Sequence, residues 1–122
     1  MLKNILLVSN ELDYLHNLES AYREANYLVD SANDGVMCLN KARADFLGII
    51  LMDAILPKCS GLITCRLLKF DKRYRNIPVI IISQDENDEQ TALEVGADYF
   101  FGTATDSEQM IAKTDELLAK KL

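Results

Sequence analysis

Asp53 is the residue whose setting in this chain most clearly points to chemistry. It lies in "IILMDAILP", residues 49–57, with four apolar residues before it and three apolar residues and a proline after it. Burying an unpaired carboxylate is costly, so we expect Asp53 at the exposed end of a strand. There it could act as a nucleophile or a metal ligand. The alternative is a structural acid that caps the following turn.

Other polar side chains directly follow apolar segments of the chain. Ser9 and Asn10 follow "NILLV", Ser83 follows "IPVIII", and Thr103 comes shortly after "ADYFF". In a doubly wound parallel sheet the functional crevice lies beyond the carboxyl ends of the strands. We therefore expect these side chains to meet Asp53 at one edge of the sheet.

Five strands and five helices are needed to bring these residues together. Short apolar segments predict strands at residues 4–8, 27–31, 47–53, 77–82 and 97–101. Helical spacing of apolar residues predicts a first helix through Leu15, Leu18, Tyr22 and Ala25, and further helices at 35–44, 62–71, 87–95 and 107–121. Gly96 suits the end of the fourth helix.

Two of the predicted helices have apolar residues at helical spacing. In the third helix, Ile63, Leu67 and Phe70 form one stripe. The last helix is expected to bury four apolar residues: Met110, Ile111, Leu117 and Leu118.

The strand composition indicates the fold class. Segments such as "GIILM" and "PVIII" are apolar throughout and do not alternate, so both faces of their sheet should be covered. Alternating strands and helices with right-handed crossovers then give an α/β, doubly wound (βα)5 fold, with a five-stranded parallel sheet and helices on both faces.

The composition of the chain limits the classes of function it can have. The chain has 122 residues, 49% hydrophobic and 26% charged, which suits one domain over residues 1–122. Its formal charge of -6 argues against binding nucleic acid, which needs a basic surface. The apolar runs are too short for a membrane span, and we expect a cytoplasmic protein with protein partners. Cys38, Cys59 and Cys65 are expected to be reduced.

The order of motifs resembles that of response-regulator receiver domains over nearly the whole chain. The best match is "MDAILPKCSG", in which proline follows Asp53 by four residues and glycine by eight; "IPVIIIS" and "LEVGAD" support it. The resemblance implies a flavodoxin-like fold with strand order 2-1-3-4-5. It also implies that Asp53 is the phospho-acceptor for a histidine kinase and that Ser83 supplies a phosphoryl-binding or switch hydroxyl.

The chain departs from the family pattern around Asp53. The usual acidic pair after the first strand is replaced by Ser9 and Asn10, and the usual lysine position holds Thr103. Loss of these charges weakens both Mg²⁺ binding and phosphoryl binding. We expect at most weak Mg²⁺ binding through Asp53 and Asn10, and no other cofactor. Of the two roles open to Asn10, the sequence favours capping of the first helix over metal binding.

Two further departures concern signalling. The switch aromatic of the family falls on Phe100, which cannot make the hydrogen bond of a tyrosine, and Gln84 stands where a small residue is usual. The segment between Ser83 and Gly96 is about two residues shorter than the family pattern. The face of the fourth helix, fifth strand and fifth helix is still expected to bind partners, and a homodimer through the last strand and helix is left open.

The leading hypothesis is an atypical receiver, or pseudo-receiver, that is not an enzyme and binds a protein partner largely without phosphorylation. The partner would be a histidine kinase, a phosphotransfer protein or a downstream effector. One alternative is a phospho-accepting receiver that uses Asp53 with a weakened Mg²⁺ site. The other is a flavodoxin-like nucleotide or flavin binder, although no glycine-rich phosphate loop is present.

Overall fold

The structure, a computed structural model, describes residues 3–44 and 47–120. Strands and helices alternate along the chain. The strands are β1 (Asn4–Val8), β2 (Leu28–Ala32), β3 (Ile49–Asp53), β4 (Val79–Ser83) and β5 (Tyr99–Gly102). The helices are α1 (Leu12–Glu24), α2 (Gly35–Ala44), α3 (Gly61–Phe70), α4 (Asp88–Glu94) and α5 (Ser107–Lys120).

The five strands form one parallel sheet in the order β2-β1-β3-β4-β5. This confirms the predicted flavodoxin-like topology. β1 has its predicted bounds, and each of the other four strands ends no more than one residue from the predicted end. Lys121 was included in the predicted last helix and lies outside the described residues. No helix in the described part of the chain is long and apolar enough to cross a membrane.

Each face of the sheet carries its own apolar core because successive strand residues point to opposite faces. On one face, Leu6, Ile50 and Ile81 pack with buried residues of α2, α3 and α4. On the other face, Leu7 and Leu51 pack with buried residues of α1 and α5. The sheet is therefore covered on both sides, as the unbroken apolar strands predict.

The structure places the predicted stripe of α3 on the outside of the molecule. Ile63, Leu67 and Phe70 face solvent. The residues that α3 buries are Gly61, Thr64, Cys65 and Leu68. Of the positions expected to be buried in α5, Met110 and Leu118 are buried, and Ile111 and Leu117 are partly buried.

Two helices end in a left-handed residue. In α1, Asn26 has φ 70°, and the amide of Tyr27 donates to the carbonyl of Tyr22 at 3.0 Å. In α4, Gly96 has φ 102°, and the amide of Ala97 donates to the carbonyl of Ala92 at 3.0 Å. This pattern satisfies carbonyls at a helix end, and it places Gly96 just after Val95, the C-cap of α4, in agreement with the predicted helix end.

Candidate functional site

The carboxyl ends of four strands surround a pocket of about 460 Å³. Side chains after β1, β3, β4 and β5 line it, which is the edge where a doubly wound sheet places its crevice. The lining residues are Asn10, Glu11, Tyr14, Asp53, Ile55, Ile82, Ser83, Gln84 and Thr103. The sequence correctly predicts that Asp53, Asn10, Ser83 and Thr103 meet here.

Asp53 is partly buried and is held by one side-chain hydrogen bond. The Ser9 hydroxyl donates to its Oδ2 at 2.6 Å. The other oxygen, Oδ1, has no hydrogen-bond donor among the residues that the structure describes. Burial raises the pKa of Asp53 to about 6, with a further rise from the nearby carboxylate of Glu11, while the bond from Ser9 opposes both. At neutral pH the group is therefore mainly a carboxylate.

Ser9 is 2% exposed, and its hydroxyl serves two neighbours. Besides donating to Asp53, it accepts a hydrogen bond from the amide of Glu11 at 3.1 Å. The reading of Asn10 as a helix cap is wrong, because Glu11 occupies the N-cap position of α1 and no side chain forms a cap bond there. Asn10 is instead exposed and lines the pocket.

Ser83 is buried, and its hydroxyl is engaged with the start of α4. It donates to Asp88 Oδ2 at 2.6 Å and accepts from the amide of Asp85 at 3.1 Å. A hydroxyl has one proton to donate. To donate to a phosphoryl oxygen, Ser83 would have to release Asp88.

Thr103 and Gln84 close the remaining sides of the pocket. The amide of Thr103 donates to the carbonyl of Ser83 at 3.1 Å. Gln84 Nε2 lies 3.5 Å from Glu11 Oε1, so the loops after β1 and β4 approach each other across the opening. The described residues lining the pocket include two carboxylates and no basic side chain. The pocket therefore attracts cations more strongly than anions.

The loop after Asp53 explains the spacing of the "MDAILPKCSG" segment. The amide of Gly61 donates to the carbonyl of Ala54 at 2.9 Å. A Cβ atom at Gly61 would lie 1.8 Å from the backbone oxygen of Asp53. Glycine at this position lets the start of α3 approach the end of β3 closely.

Phe100 does not line the pocket. It is partly buried on β5, pairs with Ile81 and packs on the core that β4 shares with α3 and α4. Its predicted switch role depends on motion between this core and the site. The switch role of Phe100 stays a prediction.

Sequence reasoning missed three residues at or beside the site: Tyr14, Ile55 and Asp88. Tyr14 lies one helical turn after Asn10, so a spacing of four residues could have found it. Its hydroxyl is buried and has no hydrogen-bond partner in the described structure. Burial raises the pKa of the Tyr14 hydroxyl above its ordinary value, and the negative charge of Asp53 raises it more. No sequence signal indicated that Asp88 would hold Ser83.

The donor set for a divalent cation is small. Mg²⁺ prefers oxygen ligands at octahedral positions, several of them water. Asp53, Asn10 and Glu11 are lining residues whose side chains carry oxygen atoms of the carboxylate or amide type. Within residues 3–44 and 47–120, no group of three His, Cys, Asp or Glu side chains could hold a metal ion. The residues fit such an ion only partly.

Solved structures of receiver domains share this fold. The signal receiver domain of a signal transduction histidine kinase from Syntrophus aciditrophicus has a TM-score of 0.90 at 25% identity, covering 97% of this chain and 91% of that one. The receiver domain of the sensor histidine kinase PA1611 from Pseudomonas aeruginosa PAO1 has a TM-score of 0.89 at 21% identity, covering 98% and 99%. That structure has a magnesium ion coordinated in its active site cleft.

Sequence comparisons point to the same family. Response regulator ArlR of Staphylococcus aureus (strain Mu50) is 31% identical over 119 residues, covering 96% of this chain and 53% of ArlR. The chain therefore spans about half the length of the curated relatives it matches. The family model of the response regulator receiver domain matches residues 5–115. The chain belongs to the response regulator receiver domain family, the signalling modules of two-component systems.

Proposed function

We propose that this receiver acts mainly by binding a protein partner and that Asp53 accepts a phosphoryl group poorly. The observation that carries the proposal is the bond from Ser9 to Asp53 Oδ2 at 2.6 Å. It places a neutral donor beside the acceptor, at a position where the family usually has a metal-binding carboxylate.

The charges around Asp53 support this reading. A phosphodonor is an anion, and phosphoryl transfer depends on neutralising its charge. The pocket contributes Asp53 and Glu11 but no basic side chain among its described lining residues, because Thr103 stands at the usual lysine position. Repulsion between the two carboxylates and the donor is therefore uncompensated. The same lack of a cation disfavours a nucleotide or flavin phosphate in this pocket.

A working phospho-acceptor with a weak Mg²⁺ site is the second candidate. It is favoured by Asp53, which lines the pocket and whose Oδ1 is not engaged by any described donor. Mg²⁺ held by Asp53 and Asn10 would supply positive charge to an incoming phosphoryl group. The residues of this chain would then contribute the nucleophilic oxygen of Asp53, the Asn10 carbonyl and, after release of Asp88, the Ser83 hydroxyl.

Intact-mass measurement after incubation with acetyl phosphate and Mg²⁺ tests the proposal. We expect no stoichiometric adduct of one phosphoryl group. An adduct that disappears in Asp53→Asn would favour the second candidate. The control is Asp106→Asn, at an exposed carboxylate outside the pocket lining, which should leave any adduct unchanged.

The proposal also specifies the class of partner and the most that this chain would catalyse. The partner would be a histidine kinase, a phosphotransfer protein or an effector, and the chain would catalyse at most its own phosphorylation on Asp53. A homodimer through β5 and α5 belongs to the same set of binding modes. Sedimentation equilibrium of the purified chain measures that association directly.

A further inference from the structure

Helix α3 turns large apolar side chains toward solvent. Ile63 is 55% exposed, Leu67 49% and Phe70 79%. Spacings of four and three residues place them along one side of the helix over about 10 Å. Arg66 is exposed on the same side. We call Ile63, Arg66, Leu67 and Phe70 the α3 face.

The segment of sequence that contains the α3 face is rich in basic residues in an otherwise acidic chain, and four of these residues are paired with Asp side chains. Residues 41–75 contain eight of the 13 Lys and Arg residues and three of the 19 Asp and Glu residues. Arg66, Lys72 and Arg75 are exposed, and none of them forms an ion pair with another described residue. The charge of Arg66 on the face, and those of Lys72 and Arg75 shortly after the end of α3, are therefore available to negative charges of another molecule.

The packing of α3 accounts for this unusual exposure. Its inner side uses Gly61, Thr64, Cys65 and Leu68, which are mostly small. A Cβ atom at Gly35 of α2 would lie 2.4 Å from Thr64 Oγ1, so α2 and α3 approach too closely for larger side chains. The large apolar residues of α3 remain on the outside, where the fold of this chain gives them no partner.

We propose that the α3 face docks an amphipathic helix of a protein partner, with apolar residues at helical spacing flanked by Asp and Glu. A stripe of three apolar residues with this spacing matches one side of such a helix. The acidic flanks would meet Arg66, Lys72 and Arg75, which gives the complex electrostatic complementarity. This inference rests on the proposed protein-binding function and names the surface and the chemistry of the partner.

A second copy of this chain fits the α3 face poorly. A symmetric pair of α3 helices would place the same surface on both sides of the interface. In an antiparallel pair Arg66, near the middle of the face, would meet the Arg66 of the other copy, and repulsion would oppose the contact. The charge pattern favours a different, acidic partner.

The test is selection of helical peptides from a displayed random library on the folded, purified chain. We expect selected peptides to carry apolar residues at intervals of three and four with Asp or Glu beside them. Phe70→Ser and Arg66→Glu should each weaken the binding of a synthesised winner about tenfold or more, and added NaCl should also weaken it. Leu93→Ser, at an exposed apolar position of α4, is the matched control and should leave affinity unchanged.

Several results would overturn the α3 assignment. Selected peptides that are sensitive to Leu93→Ser and insensitive to Phe70→Ser would place docking on another face while leaving the protein-binding function intact. Failure of the selection to yield any specific binder would overturn the α3 assignment, whereas the proposed function is decided separately by the acetyl phosphate measurement. Association with anionic phosphatidylglycerol vesicles that is lost in Phe70→Ser would identify a membrane surface instead. A dimer that is lost in Phe70→Ser would identify a second copy. Because Phe70 is 79% exposed, its replacement should leave the fold intact.

Discussion

The Ser9 hydroxyl lies 2.6 Å from Asp53 Oδ2 and donates its proton to that carboxylate. The sheet brings the two residues together because Val8 of β1 pairs with Met52 of β3, and each partner of the bond comes one position later. A neutral donor on a half-buried acid has measurable consequences for charge, stability and metal binding.

Removing the donor should raise the pKa of Asp53. A hydrogen bond to the charged form favours that form, and bonds to charged groups contribute about 1.5 to 3 kcal/mol. Ser9→Ala should therefore shift the carboxyl titration upward from about 6 by about one pH unit. Carbon-13 NMR of the Asp side chains measures the shift. Ser20→Ala, on the exposed side of α1, should leave it unchanged, and an unshifted titration in Ser9→Ala would contradict the assignment of the donor.

Replacing Asp53 should stabilise the protein at neutral pH. Burial holds the pKa of Asp53 above its ordinary value, so ionisation costs more in the folded state than in the unfolded chain. The contribution of Asp53 to stability is therefore present below about pH 4 and is lost as the pH rises through about 6. Allowing for partial solvent screening, we expect Asp53→Asn to gain about 1 to 2 kcal/mol at neutral pH.

Urea denaturation of both proteins between about pH 4 and pH 8 measures this gain. The difference between Asp53→Asn and the natural sequence should be small at the acid end and grow through about pH 6. Glu24→Gln, an exposed position at the end of α1, serves as a charge-matched control with little effect. A difference that is constant across the range would argue against a raised pKa.

Adding a methyl group at Gly61 should disturb the acceptor strand. The new Cβ atom would lie 1.8 Å from the backbone oxygen of Asp53, so either β3 or the start of α3 must move. Because backbone gives way poorly, we expect Gly61→Ala to lower the free energy of unfolding by about 3 kcal/mol. Gly102→Ala is the control, because its Cβ atom would lie 3.9 Å from the backbone oxygen of Ser83, an ordinary contact distance. Equal stability losses in the two variants would refute the proposed contact.

The sequence predicts the topology well because the strands have a simple pattern. Apolar stretches that do not alternate, each followed by a helical segment, leave few arrangements other than the observed sheet. The sequence marks one apolar stripe on the third helix, at residues 63, 67 and 70, but does not show which side of the helix packs inside. The close approach of α2 requires small residues there, and such distances are not visible in one sequence.

The sequence predicted which residues line the site but not which hydrogen bonds their side chains form. Residues after different strands were expected to meet, and Asn10, Asp53, Ser83 and Thr103 do line one pocket. Which hydroxyl holds which carboxylate depends on side-chain rotamers and on the turn into α4. The bond between Ser83 and Asp88 therefore needed coordinates. Ser83 is the last residue of β4 and Asp88 is the first residue of α4. The turn between them, and not helical spacing, brings the two side chains into contact.

Restoring the family charges should convert the pocket into a metal site. In Ser9→Asp/Asn10→Asp, two carboxylates would join Asp53, and their mutual repulsion would be relieved by a divalent cation. We expect Mg²⁺ to bind about tenfold tighter or more than to the natural sequence, by isothermal titration calorimetry. Mg²⁺ should also raise the melting temperature of this variant, because a ligand that binds only the folded state stabilises it.

Thr103→Lys separates the two charge effects. Alone it adds a cation and no metal ligand, so it should not tighten Mg²⁺ binding. Combined with the two aspartates, it supplies the positive charge that a phosphoryl group needs. The triple variant should then form an acetyl phosphate adduct on Asp53 that the natural sequence lacks. If the triple variant binds Mg²⁺ tightly and still forms no adduct, the missing charges would not be the cause of poor phosphorylation. The hydrogen bond from Ser83 to Asp88 would then be the next interaction to remove, by Asp88→Ala, which leaves no side-chain acceptor.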